Sequence, residues 1–186
     1  MLYQSTSGDA AEGTSVLTVS DSTLTTKSTG AMFYITNTDA KIQISDTKLS
    51  FSSGTLVEAA GNSTNNWGTP GSNGGKLIMN ASKQTLAGNI VCDSISTVFL
   101  ALQSSTLSGA IDKENQGTVS LALDADSTWT VTGNSYLTEL TDNDQTLANI
   151  RSNGFTVSYD SANASNSWLA GKTYSLTGGG TLRPMQ

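Results

Sequence analysis

A short internal repeat constrains this chain more than any other feature. Leu17-Thr-Val-Ser-Asp-Ser-Thr-Leu24 is matched 25 residues on by Ile42-Gln-Ile-Ser-Asp-Thr-Lys-Leu49. Val98-Phe-Leu-Ala-Leu102 returns 21 residues later as Val119-Ser-Leu-Ala-Leu123, and Thr85-Leu-Ala-Gly-Asn-Ile90 returns at the same offset as Thr106-Leu-Ser-Gly-Ala-Ile111. Leu77–Met79 and Phe155–Tyr159 open two further copies. Each copy starts with strict apolar/polar alternation (Ile42/Ile44, Val98/Leu100/Leu102, Val119/Leu121/Leu123), the signature of a strand with one buried face. A polar stretch follows, then an apolar anchor (Leu24, Leu49, Leu86, Leu107 or Trp129), then a glycine (Gly30, Gly54, Gly88, Gly109 or Gly133). Helical spacing is absent over any useful length; the nearest approach is Leu147 and Ile150, within 141–152.

Short strands returning every 21 to 25 residues without helices predict an all-β fold, a single-stranded right-handed parallel β-helix of about six coils. One coil cannot bury its own apolar face, so coils stack at about 4.8 Å, and six would rise about 29 Å. Ser, Thr, Asn and Gly make up 86 of 186 residues. That bias fits stacked coils, in which like residues superpose as hydroxyl and amide ladders. An antiparallel sandwich would call for a series of Asn-Gly or Asp-Gly hairpin turns, and only Asn153-Gly154 and Asn73-Gly74, the latter inside the Gly/Asn-rich insertion, have that sequence.

Residues 1–186 read as one domain, with insertions at 61–75 and 142–152 expected to leave the solenoid as side loops. Leu176-Thr-Gly-Gly-Gly-Thr-Leu182 reads as a last strand ended by Pro184. The first residues carry no polar lid. An uncapped coil exposes strand edges, so the expectation is a fragment or C-terminal part of a longer protein, or self-association through that N-terminal coil.

Several function classes drop out. A net charge of −6 with only 9 Lys and Arg offers no basic stripe, so no nucleic acid is expected. No apolar run approaches 18 residues, so no membrane insertion by a helix is expected, and Met1-Leu2-Tyr3-Gln4 does not open a signal peptide. With no His and a single Cys92, His-based acid/base chemistry, Cys-His pairs and Cys-based zinc sites are excluded. Cys92 reads as a small packing residue.

Four segments carry a resemblance: Gln4-Ser-Thr-Ser-Gly-Asp-Ala-Ala-Glu-Gly13, Phe33-Tyr-Ile-Thr-Asn-Thr-Asp-Ala40, Ser127-Thr-Trp-Thr-Val-Thr-Gly-Asn-Ser-Tyr136 and Trp168-Leu-Ala-Gly-Lys-Thr-Tyr-Ser-Leu176. They resemble the C-terminal half of bacterial pectate-lyase-like right-handed β-helix surface proteins, a carbohydrate-binding domain-containing family. The resemblance implies a secreted or cell-surface β-helix that binds acidic or cellulosic polysaccharide and calcium, without established catalysis. It supplies no residue-level calcium motif.

Candidate residues follow. Asp124 with Asp126, and Asp142 with Asp144, are the candidate metal ligands, since hard cations such as Ca2+ take several oxygen ligands and stacked turns can converge them. Asp21 and Asp46 share a repeat position. The competing reading for all of these is Asx turns. Trp67, in a Gly/Asn-rich insertion where no core pattern demands it, is the candidate carbohydrate platform; the alternative is a lid folded onto the wall. Trp129 shares the Leu24/Leu49/Leu107 column and reads as core, with Trp168, Tyr136 and Tyr174 as packing and capping residues. Arg151 is the base a lyase would use, and no second carboxylate cluster accompanies it. Gly71-Ser-Asn-Gly-Gly75 lacks the ending of a phosphate loop. Asn62, Asn80 and Asn163 match the glycosylation pattern at a density this composition gives by chance.

The functional expectation is a non-catalytic polysaccharide-binding β-helix, secreted or surface-attached, with Ca2+ as its cofactor candidate. An adhesin stalk is the alternative and a polysaccharide lyase the third reading.

Overall fold

The computed structural model describes residues 2–3, 13–62 and 68–186. The chain winds as a parallel β-solenoid of about seven turns. Its broad face stacks Thr14–Ser20, Thr38–Ser45, Gly75–Ser82, Thr97–Gln103, Thr118–Leu123 and Glu139–Asp142 in parallel. A narrow face carries Thr23–Thr25 on Lys48–Ser50, then Thr85–Ala87, Thr106–Ser108, Thr128–Thr130 and Ile150–Arg151. The third face begins with Leu2–Tyr3, Phe33–Thr36, Thr55–Ala59 and Asn89–Cys92, and ends with Ser135–Leu137, Thr156–Tyr159 and Thr181–Pro184. The two end strands on this face, Leu2–Tyr3 and Thr181–Pro184, account for the extra turn beyond the six that the repeats suggest.

The registers are those of the repeats. Leu17 pairs with Ile42 and Val19 with Ile44, while Val98 pairs with Val119 and Leu86 with Leu107. Period-two alternation therefore sends Leu17, Ile42, Met79, Leu100, Leu121 and Leu140 inward as one stack. All but Leu17 are buried. Trp129 continues the Leu86/Leu107 stack, is fully buried, and its Nε1 donates to Gly109 O at 2.9 Å.

Polar ladders run through the corners. Gln84 N donates to Ser105 Oγ at 2.9 Å and Ser105 N to Ser127 Oγ at 3.1 Å, all three residues being buried. At these two corners the inward N–H thus meets a side-chain oxygen from the next coil instead of being orphaned. At the third face Ile111 N donates to Ser135 Oγ at 3.0 Å and Ala110 N to Asn89 Oδ1 at 2.9 Å.

Two local expectations are corrected. The segment 142–152 does not leave the solenoid as a side loop: Leu147 and Ile150 are buried in the core, and the extra residues are taken up in turns at the last corner. Leu176–Leu182 is not one strand. Tyr174–Ser175 runs antiparallel to Thr181–Pro184, and Gly178 and Gly179, at φ 93° and 90°, form the turn between them. That backbone region costs glycine nothing, so the glycine run bends where a continuous strand had been read.

The C-terminal end is closed by side chains. A 3-10 turn, Ala164–Leu169, places Asn166 and Trp168 over the last broad-face rung. Asn166 Oδ1 accepts Leu140 N at 2.9 Å, its Nδ2 donates to Thr138 O, and Trp168 Nε1 donates to Leu140 O at 2.9 Å. An edge that would invite strand addition is thereby satisfied.

Candidate functional site

The outer surface of the broad face is the site best supplied with exposed, ordered chemistry. Its central outward column runs Val16, Lys41, Ile78, Phe99, Ser120, Glu139, each residue the register partner of the next. A column of Thr14, Asp39, Lys76, Thr97 and Thr118 runs beside it. Phe99 and Ile78 are outward because Leu100 and Leu77/Met79 point inward, so the alternation that builds the core also displays them. Ile78 is 42% and Phe99 37% exposed. They floor a shallow groove of about 310 Å³ edged by Lys41, Lys76, Thr97 and Thr118. Lys76 Nζ lies 3.6 Å from Asp39 Oδ1, an exposed pair worth little to stability. Sequence reading passed over Phe99 as part of a repeat. The available signal is its phase: it is an aromatic residue at an outward position of an alternating strand.

The anticipated site residues are dispersed. Trp67 lies outside the described residues. Asp124 is a turn residue: both its carboxylate oxygens accept Ser104 N, at 3.2 and 2.9 Å, and Oδ1 accepts Ser127 Oγ at 2.5 Å. In earlier corners the equivalent N–H meets a backbone carbonyl, as Lys83 N meets Gln103 O at 2.9 Å. The corner at 124–127 is one residue longer, and the Asp124 side chain replaces that carbonyl. Asp126 is exposed. Asp21 and Asp46, with φ 47° and 42°, occupy the same corner position as Lys83 and Ser104, a left-handed site that Asp and Asn tolerate.

Asp144 is partly exposed and closes an Asx turn, with Oδ1 accepting Thr146 N at 3.0 Å and Thr146 Oγ1 at 2.6 Å. The Thr146 bonds hold its carboxyl below the usual range. Asp142 is different. By register it continues the inward stack Val19, Ile44, Ala81, Leu102, Leu123, and like all of these but the partly buried Val19 it is buried. Its Oδ1 accepts Asp144 N and Asn149 Nδ2, both at 2.9 Å, and burial pushes its carboxyl up. Asp142 and Asp144 therefore face different environments. Among the described residues no three Cys, Asp or Glu side chains converge as a metal-ligand set.

Arg151 is exposed on the narrow face beside Thr130, whereas Asp142 points into the core, so the two do not form a lyase-like cluster. Cys92 is buried; burial first, then the Asp112 charge, pushes its thiol up to about 12. Trp168 and Tyr174 pack partly buried against the core, as their capping role requires. Among the described residues no helix is long and apolar enough to cross a membrane.

The chain matches no protein-family model, no curated protein and no solved structure. The solenoid shape does not by itself identify the pectate-lyase-like family.

Proposed function

We propose that this chain is a non-catalytic polysaccharide-binding β-solenoid of a secreted or surface-attached protein, holding a glycan along its broad face. The observation that carries the reading is the outward Ile78–Phe99 step flanked by the Thr97 and Thr118 hydroxyls and the Lys41 and Lys76 ammonium groups. A sugar ring offers an apolar C–H face and a polar rim, and this groove offers an apolar floor with polar edges. The lysines suit the carboxylates of an acidic glycan. The sheet is backed by the buried apolar stacks, so the groove is preformed and binding needs little ordering of the protein.

An adhesin stalk is the second reading, favoured by those same continuous ladders, which suit a stiff spacer. Calorimetric titration with polygalacturonate and with soluble cellulose oligomers, in calcium and in chelator, separates the two. Binding weakened about tenfold or more by Phe99→Ala, a loss of about 1.4 kcal/mol, supports the glycan site. Loss with Trp67→Ala alone moves the site to the insertion, and loss in chelator adds calcium. No heat with any glycan, beside an intact cooperative unfolding transition, leaves the stalk.

A further inference from the structure

Asp142 and Asn149 each keep one buried oxygen, Asp142 Oδ2 and Asn149 Oδ1, without a hydrogen-bond donor. Buried acceptors without donors are rare and costly, so each calls for an explanation. The two belong to side chains already joined, Asn149 Nδ2 donating to Asp142 Oδ1 at 2.9 Å. A carboxylate and an amide joined by one such bond lack a single hydrogen to be joined by two. We propose that Asp142 is held as the neutral carboxylic acid, donating its Oδ2 proton to Asn149 Oδ1 to make a doubly bonded acid–amide pair inside the last corner.

The position supports a neutral group. Asp142 replaces a leucine in the inward stack, directly on Leu123, and is only 2% exposed. An isolated charge there is far costlier than a neutral acid. Desolvation raises its pKa and outweighs the lowering by the bonds from Asn149 and from Asp144 N, while the Asp144 charge adds to the rise. The charged groups of the surrounding elements are mainly acidic: Glu139 on the same strand, Asp124 and Asp126 in the turn below, Asp144 alongside and Asp160 before the capping turn. The cations nearest in sequence, Arg151, Lys113 and Lys172, are all exposed. A calcium ion is the rival occupant. It takes six to eight oxygens, and two unpartnered ones are present, whereas a proton needs only two.

The pair is a pH-dependent lock on 142–149. A carboxyl whose folded pKa is raised stabilises the fold below its unfolded pKa and loses that contribution as pH rises through the folded value. Asp142→Asn mimics the neutral acid, since its amide can donate to Asn149 Oδ1 and accept from Asn149 Nδ2. Thermal unfolding of the chain and of this variant is followed from about pH 5 to about pH 9. The chain is expected to lose at least about 2–4 °C relative to the variant across that range. The carboxyl carbon resonance of Asp142 in the unaltered chain is the deciding measurement should the variant fold poorly. A protonated Asp142 signal at a pH where Asp144 is already ionised supports the pair; two carboxyls that ionise together overturn it. A calcium-dependent rise in Tm that Asp142→Asn removes also overturns it, by making the two oxygens cation ligands.

Discussion

Gln84 holds both backbone polar groups of Thr47, a residue one coil away: Thr47 N donates to Gln84 Oε1 at 2.9 Å, and Gln84 Nε2 donates back to Thr47 O. Elsewhere on the narrow face backbone groups meet directly, as Thr106 N meets Gln84 O at 2.8 Å. Between Lys48–Ser50 and Thr85–Ala87 the sheet splits, and the side-chain amide stands in for the missing peptide pairing. Replacing it by Ala strands two buried groups. Gln84→Ala is expected to cost about 2–4 kcal/mol, read as a lower urea midpoint at unchanged m.

Trp129 divides into a packing and a hydrogen-bonding contribution. Trp129→Ala should cost about 3–5 kcal/mol by emptying the stack between Leu107 and Ile150. Trp129→Phe keeps much of the volume and strands Gly109 O, so about 1–3 kcal/mol is expected. Equal losses in both variants, measured by denaturant unfolding, would refute that division.

Asp124→Ala leaves Ser104 N without its acceptor and frees the Ser127 hydroxyl. Because Ser104 is exposed and water can reach its N–H, a loss of about 0.5–1.5 kcal/mol is expected, the same in calcium and in chelator, since the role assigned here is that of a surrogate carbonyl. A loss confined to calcium-containing buffer would show that Asp124 is a cation ligand instead.

Gly180 shows where a coil tolerates no side chain. A Cβ there would sit 1.8 Å from Phe155 O, a backbone atom that cannot swing away. Gly180→Ala should shift the terminal hairpin and lower Tm, whereas Gly171→Ala meets open space and answers only for its left-handed φ of 64°. Comparison of the two melting curves checks this, with the larger drop expected for Gly180→Ala.

Cys92 should resist alkylation in the native chain. Its pKa of about 12 lies well above neutrality, so the thiolate is scarce, and stability linked to the neutral thiol is lost only as pH climbs from the unfolded value of 9.0 toward 12. Iodoacetamide labelling near pH 8 is expected to require unfolding; rapid labelling of folded protein would contradict the burial assigned to it.

The repeats made the architecture legible. Alternation at Ile42/Ile44 or Val119/Leu121/Leu123 specifies which side chains turn inward, and the offsets of 25 and 21 state which residues stack, because one rung can bury its apolar face only against another. The same reasoning placed Trp129 in the core. It does not extend to Asp142, although Leu140 and Asp142 repeat the phase of Leu121 and Leu123; in sequence the acidic residue opens the insertion expected at 142–152 and stands among the candidate metal ligands.

Neighbours in space decided the rest. Composition announced ladders of Ser, Thr and Asn, but only the stacked coils assign Ser105 to Ser127, Gln84 to Thr47 and Asp124 to Ser104, since each partner belongs to a neighbouring coil. Whether an Asp becomes a turn carboxylate, like Asp144, or a buried acid, like Asp142, rests on desolvation and donors that the fold brings to it. Phe99 acquires its candidate role in the same way. Its outward phase is written in the alternation, while the groove it floors exists only because Lys41, Ile78 and Thr118 arrive beside it from three other coils.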